Sequence, residues 1–155
     1  MGGCPTLKGS HAVVTGAGRG IGAEVAQTPA AEGARLTLLG RRRDALQALV
    51  AELPGVGHGV VAADVSDPTQ VDAAFAEARA RGPITVLVNN AGQAETAPFA
   101  KMSLELWQRM LAVNLTGTFL CTQAALPGML EARWGRIVNI ASTAGLTGYA
   151  YVSAY

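Results

Sequence analysis

The sequence contains few of the residues that mark disulfide-linked or metal-binding proteins. Its 155 residues include only two cysteines and two histidines. Cys4 and Cys121 lie far apart without metal-ligand spacing, and His11 and His58 each stand alone beside a predicted strand. We therefore expect neither a disulfide framework nor a metal site. Two isolated thiols suit a reducing compartment, which predicts a cytoplasmic location.

Excess charge and long apolar runs are also missing. Twelve basic and eleven acidic residues give a net charge of +1, so the composition predicts no nucleic-acid partner. Residues 1–6 fit a loose acylation pattern, but so short a pattern often arises by chance, and we expect no membrane attachment. The most apolar stretch, residues 110–130, is too interrupted to cross a membrane. The interrupting residues are Asn114, Thr116, Gln123 and Pro127.

Half of the residues are hydrophobic, which is enough for the core of one well-buried domain over residues 1–155. A chain of this length is too short for two domains. Strand patterns occur at residues 12–15, 36–39, 59–63, 85–89 and 136–141, with helical patterns between them. This alternation predicts an α/β fold in which helices cover both faces of a parallel sheet, in three αβα layers.

Helix boundaries are marked by capping residues and prolines. Asp67 and Pro68 are typical of the cap and first position of the third helix, and Ser103 is typical of the cap of the fourth. Pro29 lies inside the first helical pattern, where it removes a backbone hydrogen bond at a cost of roughly 3 kcal/mol. We therefore predict a kink or an early helix end near Thr28.

A glycine-rich turn links the first predicted strand to the first predicted helix, whose inner face we assign to Ile21, Val25 and Ala26. Glycine allows a tight turn and a close backbone approach, and a helix N-terminus favours an anion such as a pyrophosphate. Taken alone, such a turn is weak evidence. The candidate cofactor contacts here are Thr15, Gly16, Gly18, Arg19, Gly20, Ile21 and Gly22.

The spacing Thr-Gly-x-x-x-Gly-x-Gly resembles that of the classical short-chain dehydrogenase/reductase family, and two further motifs extend the resemblance from Lys8 to Tyr155. It implies a Rossmann-type, doubly wound sheet with strand order 3-2-1-4-5, five of the family's seven strands. In isolation, Asp64 would also suit a solvated strand end, and the adjacent Asn89 and Asn90 would also suit a turn. The resemblance implies adenine contacts at Asp64 and Val65. It also implies that the motif Asn89-Asn90-Ala91-Gly92 lies along the cofactor, with contacts at Asn89, Ala91 and Gly92, and helps to fix the central sheet.

The end of the second predicted strand indicates the cofactor. An acidic residue at this position would accept hydrogen bonds from the ribose of NAD, but the chain has Arg41 and Arg42 instead. Arginine pairs with a 2'-phosphate through charge-assisted bonds, and Arg19 adds positive charge on the same side. We therefore predict NADP rather than NAD. The alternative is that the arginines form only a solvated helix face.

The family's catalytic group is an Asn, Ser, Tyr, Lys tetrad, whose first three members correspond to Asn114, Ser142 and Tyr155. The resemblance implies that Asn114 distorts its helix and orders a proton-relay water. It also implies that Ser142 holds the substrate oxygen and that Tyr155 transfers the proton. Tyr149 and Tyr151 follow Ser142 too closely for this role. No lysine follows Tyr155 in the sequence.

The resemblance implies a hydride-transferring ketoreductase or alcohol dehydrogenase, similar to 3-oxoacyl-carrier-protein reductases, with a small carbonyl or alcohol substrate and a homo-oligomeric state. For the 155 residues alone we expect no activity, because Tyr155 is expected to be a frayed end. We also expect the last strand to be an unpaired sheet edge. The alternative is a dinucleotide-binding fragment without catalysis, or half of an assembly completed by a second polypeptide.

Overall fold

The computed structural model describes residues 7–155, so Cys4 and the acylation pattern lie outside the described residues. The five strands are β1 (His11–Thr15), β2 (Arg35–Gly40), β3 (Gly59–Ala62), β4 (Val86–Asn89) and β5 (Arg136–Asn139). The helices are α1 (Gly20–Ala31), α2 (Arg43–Glu52), α3 (Pro68–Ala80), α4 (Leu104–Leu111) and α5 (Gly117–Glu131). A π-helical segment, Ala112–Thr116, joins α4 to α5, and single 3₁₀ turns lie at Phe99–Lys101 and Thr143–Gly145.

All strand pairs are parallel and follow the order β3-β2-β1-β4-β5, which confirms the predicted sheet. Side chains alternate between the two faces because successive residues of a strand point in opposite directions. Val13 packs with α3 and α5 residues such as Phe75, whereas its neighbour Val14 packs with α1 and α2 residues such as Leu46. Each face therefore has its own apolar core, as the three-layer prediction requires.

Three predicted strands are longer than the observed ones. Ala63, Thr85 and residues 140–141 lie outside the strands, although Ala63 N still donates to Gly40 O at 3.0 Å and Ile140 N to Asn89 O at 2.8 Å. Strands β3 and β5 end early because their neighbours β2 and β4 themselves end at Gly40 and Asn89. Apolar pattern alone does not show where a partner strand stops.

The early end predicted for the first helix is wrong. Helix α1 continues past Thr28 to Ala31, with Pro29 buried in its last turn. The proline removes only its own bond to the Val25 carbonyl, and Glu32 N still donates to Thr28 O at 3.0 Å. One missing bond so close to the helix end does not stop the helix. A kink at this position stays a prediction.

The predicted helix caps are confirmed. The Oδ1 atom of Asp67 accepts from the backbone N–H groups of Thr69 and Gln70, at 2.9 and 3.2 Å, and Pro68 is the first residue of α3. Ser103 Oγ accepts from a backbone N–H in the first turn of α4 at 3.1 Å. Each cap satisfies donors that a helix start leaves unpaired.

His11 has a structural role at the amino end of β1. The sequence assigned no chemistry to it. Its ring is buried and its Nδ1 lies 3.0 Å from Gly82 O. A carbonyl only accepts, so Nδ1 carries the proton and Nε2 accepts from the Thr37 hydroxyl at 2.8 Å. Burial lowers the pKa of His11 below its ordinary value, and the nearby Arg35 and Arg81 lower it further.

Strand β5 forms one edge of the described sheet, as predicted, because within residues 7–155 it pairs with β4 alone. Its Ile137 and Val138 side chains are exposed. Helix α4, the π-helical segment and α5 form one continuous rod, the α4–α5 rod. It also exposes apolar side chains, including Phe119 and Leu130. Among the described residues, no helix has both the length and the apolar content that a membrane crossing requires.

Candidate functional site

A cleft of about 990 Å³ lies at the carboxyl ends of the strands, the edge where open α/β sheets bind ligands. It gathers segments that follow all five strands, although these segments are far apart in sequence. The predicted site residues in its lining are Gly16, Gly18, Arg19, Gly20, Ile21, Gly22, Arg41, Arg42, Asp64, Val65, Ala91, Gly92, Asn114, Ser142 and Tyr155.

The glycine turn packs against the segment that follows β4 so closely that side chains are excluded. A Cβ on Gly16 would lie 2.7 Å from the Ala91 Cα, and the residue has a φ of +64°. A Cβ on Gly22 would meet the Asn90 amide and, at 2.5 Å, the Gly16 carbonyl. The first turn of α1 has no acidic side chain. Its unpaired N–H groups therefore favour an anion in the cleft.

Thr15 lies beneath the cleft rather than in its lining, so the structure does not place it as a cofactor contact. Its buried Oγ1 accepts from the backbone N–H groups of Asn90 and Ala91, each at 3.0 Å. In return, Asn90 Nδ2 donates to the carbonyls of Thr15 at 3.0 Å and Gly16 at 3.3 Å. Four hydrogen bonds thus join the glycine turn to the Asn-Asn-Ala-Gly segment.

Asn89 is likewise absent from the cleft lining. Its buried amide donates to Thr122 Oγ1 at 3.0 Å and to Asn139 Oδ1 at 2.9 Å. The side chain therefore joins β4 to β5 and α5, which agrees with the predicted role in fixing the central sheet. Asn89 Oδ1 is buried with no hydrogen-bond partner among the described residues. A direct contact between Asn89 and a cofactor is not what this geometry favours.

One end of the cleft is positively charged. Arg19, Arg41 and Arg42 all contribute to the lining, and Asp64 is the acidic residue among them. The Oδ1 atom of Asp64 accepts from the Ser66 N–H at 2.9 Å and from the Ser66 hydroxyl at 2.7 Å. Its Oδ2 atom lies 3.9 Å from Arg41 Nη1. This end can therefore hold a group that combines hydrogen-bond donors with negative charge.

The assignment of Ile21 to the inner face of α1 is wrong. Its side chain is 63% exposed and lines the cleft, because Gly22 rather than Ile21 faces the neighbouring segment. Val65, across the cleft, is buried against α5, where a Cβ on Gly117 would lie 2.8 Å from its Cγ2. These two apolar side chains therefore form walls of the cleft.

Asn114 lies in the π-helical segment, so the predicted local distortion of the long helix is present. Its side chain pairs with the backbone of Gln93: Gln93 N donates to Asn114 Oδ1, and Asn114 Nδ2 donates to Gln93 O, both at 2.9 Å. The Asn114 carbonyl accepts from the Thr118 hydroxyl at 3.1 Å. In this structure the amide fixes the loop after β4, and a proton-relay water on Asn114 stays a prediction.

Ser142 and Tyr155 line the same cleft as Asn114. Ser142 Oγ accepts from the Ala144 N–H at 3.2 Å, which leaves its hydroxyl hydrogen available to another acceptor. Among the described residues, the Tyr155 hydroxyl forms no hydrogen bond. The structure therefore brings the three predicted catalytic residues into the lining of one cleft, and the Ser142 hydroxyl there can still donate a hydrogen bond.

The backbone before Tyr155 is packed, whereas Tyr155 itself is 42% exposed, so a frayed tyrosine stays a prediction. Ala154 is buried in a small apolar cluster with Leu106 and Met110 of α4. Tyr155 N donates to Val152 O at 3.0 Å. A lone alanine carries little periodic pattern, so this contact could not be predicted from the sequence.

Several site residues escaped the sequence analysis. Asn90 lies within a quoted motif but was not assigned as a contact, and Thr118 stands one helical turn after Asn114, a spacing that places both on one face. Asn139 also lines the cleft, and no sequence pattern marks it. Within residues 7–155, no group of three or more His, Cys, Asp or Glu side chains is arranged to hold a metal ion.

Comparison with known proteins places this geometry in a family. Residues 10–155 match the model of the short chain dehydrogenases. The chain is 46% identical to D-threitol dehydrogenase of Mycolicibacterium smegmatis over 141 residues, 89% of this chain and 54% of that protein. It is 42% identical to 3-oxoacyl-(acyl-carrier-protein) reductase of Aquifex aeolicus over 147 residues, 92% of this chain and 59% of that protein.

A solved structure of an actinorhodin polyketide ketoreductase variant with NADPH superposes with a TM-score of 0.90 at 39% identity, covering 94% of this chain and 58% of that one. The chain thus spans somewhat more than half the length of the relatives that it matches. The chain belongs to the short chain dehydrogenase family, whose members bind a nicotinamide dinucleotide and act as oxidoreductases on small molecules.

Proposed function

We propose that the protein is an NADP-dependent carbonyl reductase or alcohol dehydrogenase. One observation carries the proposal: a single cleft is lined at one end by the glycine turn and three arginines, and at the other by Asn114, Ser142 and Tyr155. An anionic dinucleotide and a carbonyl group need these two chemistries side by side. The relatives named above include both a dehydrogenase and a reductase, which supports the reaction class.

The residues present fit a dinucleotide. Ligand sites typically enclose about 300–1,000 Å³, and the cleft lies at the upper end of this range. Gly16 and Gly22 have no room for a Cβ, so the backbone packs tightly beside the start of α1, where its N–H groups would hold a pyrophosphate. The free Oδ2 atom of Asp64 would accept from the adenine amine. When bound, the cofactor supplies or accepts the hydride.

The preference for NADP rests on charge. Strand β2 ends at Gly40, and Arg41 and Arg42 follow it, so no carboxylate stands where a ribose hydroxyl of NAD would need an acceptor. Guanidinium groups bind phosphate through charge-assisted and often bidentate hydrogen bonds. Arg19 contributes a third positive charge to the same end of the cleft. A 2'-phosphate is therefore favoured over a bare hydroxyl.

The chain's own residues would handle the proton and the oxygen. The Ser142 hydroxyl has its hydrogen free to bond a substrate oxygen, and the Tyr155 hydroxyl would give a proton to that oxygen during reduction or take it during oxidation. Asn114 would hold the loop after β4 through Gln93, so that the wall of the cleft keeps its position. Each of these roles depends on geometry within the described residues.

The test measures the activity of the protein at its natural length. Reduction is assayed with NADPH and a 3-oxoacyl thioester, and oxidation with NADP⁺ and D-threitol, because the relatives' names suggest these substrate classes. Tyr155→Phe should lower kcat by about 10²-fold or more, the usual worth of a positioned proton donor. Tyr149→Phe is the matched control, since Tyr149 is exposed and does not line the cleft. Full activity of Tyr155→Phe would refute the assignment.

A different outcome would favour the alternative function. NADPH binding without turnover on any carbonyl or alcohol offered would support a dinucleotide-binding protein without catalysis. Isothermal titration of NADPH separates this case from simple loss of folding, because a folded cleft still binds the cofactor. Equal affinity for NADPH and NADH would contradict the proposed cofactor preference while leaving the reaction class intact.

We also propose that the protein forms homo-oligomers. Trp107, Leu115 and Phe119 are exposed along the α4–α5 rod, and such apolar surface favours association with another chain. Light scattering after size-exclusion chromatography should give a mass above that of one chain at micromolar concentration. A monomer under these conditions would contradict the proposal. A cytoplasmic location also remains a prediction.

A further inference from the structure

The positive end of the cleft contains one carboxylate that opposes its arginines. Asp64 is the acidic side chain in the cleft lining among the described residues, against Arg19, Arg41 and Arg42. Its side chain is 31% exposed and that of Arg41 is 71% exposed. The proposed binding of a 2'-phosphate places a new negative charge among these groups. The position of Asp64 therefore bears directly on cofactor preference.

Asp64 is held in place by its own neighbours. Its Oδ1 accepts two hydrogen bonds from Ser66, and its backbone N donates to Gln70 Oε1 at 3.0 Å. Gln70 is itself fixed, because its Nε2 donates to Asp67 Oδ2 at 2.8 Å. Oδ2 is thus the oxygen of Asp64 that remains available, and it points toward Arg41.

The closeness of Arg41 and Asp64 follows from the sheet rather than from a chance side-chain position. Gly40 pairs with Ala62 in the parallel ladder of β2 and β3, and Ala63 N donates to Gly40 O at 3.0 Å. Arg41 therefore leaves its strand beside the segment that carries Asp64. The Nη1 to Oδ2 separation of 3.9 Å is too long for a hydrogen bond but short enough for the modest charge interaction of an exposed pair.

We propose that Asp64 limits the preference for a 2'-phosphate by competing for Arg41. Without the phosphate, Arg41 stays beside Oδ2. A bound 2'-phosphate draws the guanidinium away from the carboxylate and also lies near a fixed negative charge, so both changes oppose its binding. The same Oδ2 is the free acceptor for the adenine amine, which couples recognition of the base to recognition of the phosphate.

This inference rests on the proposed function, and the test separates the two. Dissociation constants are measured on the protein at its natural length for 5'-AMP and for adenosine 2',5'-bisphosphate, which differ only by the 2'-phosphate. The ratio of the two constants cancels contacts with the base and the 5'-phosphate. In Asp64→Asn this ratio should rise about two- to fivefold in favour of the bisphosphate, the range typical of an exposed charge pair. Asparagine keeps an Oδ1 acceptor for Ser66, so the local fold should persist.

Two further variants identify the cause. Arg41→Met should lower the ratio, and in the Arg41→Met background Asp64→Asn should change it less than in the original chain. Asp72→Asn is the matched control, because it removes the same charge from an exposed position of α3, outside the cleft lining and apart from the contacts that hold Asp64. It should leave the ratio unchanged.

The outcomes are distinct. An unchanged ratio in Asp64→Asn, with both ligands still bound, would overturn the inference, as would an equal rise in Asp72→Asn. If the original chain binds neither ligand, or gains nothing from the 2'-phosphate, the proposed cofactor is wrong instead. Because the effect is electrostatic, the difference between the original chain and Asp64→Asn should also shrink as the salt concentration rises.

Discussion

Thr15 offers the sharpest test of how the site is built, because one buried hydroxyl holds two segments together. Thr15→Val keeps the shape of the side chain but removes the Oγ1 that accepts from Asn90 N and Ala91 N, each at 3.0 Å. The hydroxyl also donates to Val88 O, but at 3.4 Å this bond is weak. The variant therefore leaves two backbone donors without their acceptor.

The size of the effect follows from the cost of an unpaired buried donor. A fully buried N–H that loses its partner costs about 1–3 kcal/mol, and the two donors here are only partly buried, so we expect a loss of about 2–3 kcal/mol in total. Thr15→Ser is the matched control, since it keeps Oγ and removes one buried methyl group, which is worth about 1 kcal/mol.

Urea unfolding measures the difference. With a denaturant dependence of about 2 kcal/mol per molar, Thr15→Val should lower the urea midpoint by about 1–1.5 M, and Thr15→Ser by about 0.5 M. Binding of adenosine 2',5'-bisphosphate should weaken in the valine variant, because the glycine turn loses its support. If Thr15→Val is as stable as Thr15→Ser, the two hydrogen bonds to Thr15 Oγ1 do not stabilise the fold.

Further predictions concern the glycine turn, a buried imidazole and a buried thiol. Gly16→Ala should unfold at lower urea and lose nucleotide binding, because its Cβ has no space, whereas Gly18→Ala, with no atom nearer than 3.7 Å, should remain as stable as the original chain. Because burial lowers the pKa of His11 below 6.5, the unfolded chain takes up a proton that the folded chain resists, so stability should be full above pH 6.5 and decrease below it. Urea midpoints at pH 5.5 and 7.5 should show a smaller decrease in His11→Gln, and an equal one would exclude His11 as the cause. Burial raises the pKa of Cys121 to about 12, so in a Cys4→Ser background a disulfide reagent at pH 8 should modify it only after urea is added. Fast modification of the native protein would contradict this burial.

Much of the fold followed from sequence pattern. The strands alternate with helices, and the caps at Asp67 and Ser103 are local features that a sequence displays directly. Strand order came from the family resemblance, since pattern alone gives no neighbours. The errors at the ends of β3 and β5 arose because these ends depend on distant partners, namely on where β2 and β4 stop. The error at α1 is local, because Pro29 removes one hydrogen bond near the helix end and the remaining bonds hold the last turn.

The candidate site was predicted less completely. Residues that line the cleft came mostly from motifs, but Thr15 and Asn89, which belong to those motifs, hold segments together instead of facing the cleft. A motif records which residues occur together and not which of them touch a ligand. The contacts of Asn114 with Gln93, and of Arg41 with Asp64, join side chains whose proximity only the folded sheet reveals.

The two ends of the cleft are supported by different contacts, and this has consequences for how the site responds to change. The glycine turn is tied to the segment after β4 through Thr15 and Asn90, and β1 and β4 are themselves paired at the centre of the sheet. The segment before Tyr155 instead rests on the small cluster formed by Ala154 with residues of α4. We therefore expect a substitution in that cluster to displace the tyrosine and to leave nucleotide binding at the other end unchanged. The proposed nucleotide binding and the proposed proton transfer should then be separable, because their supports lie in different parts of the fold.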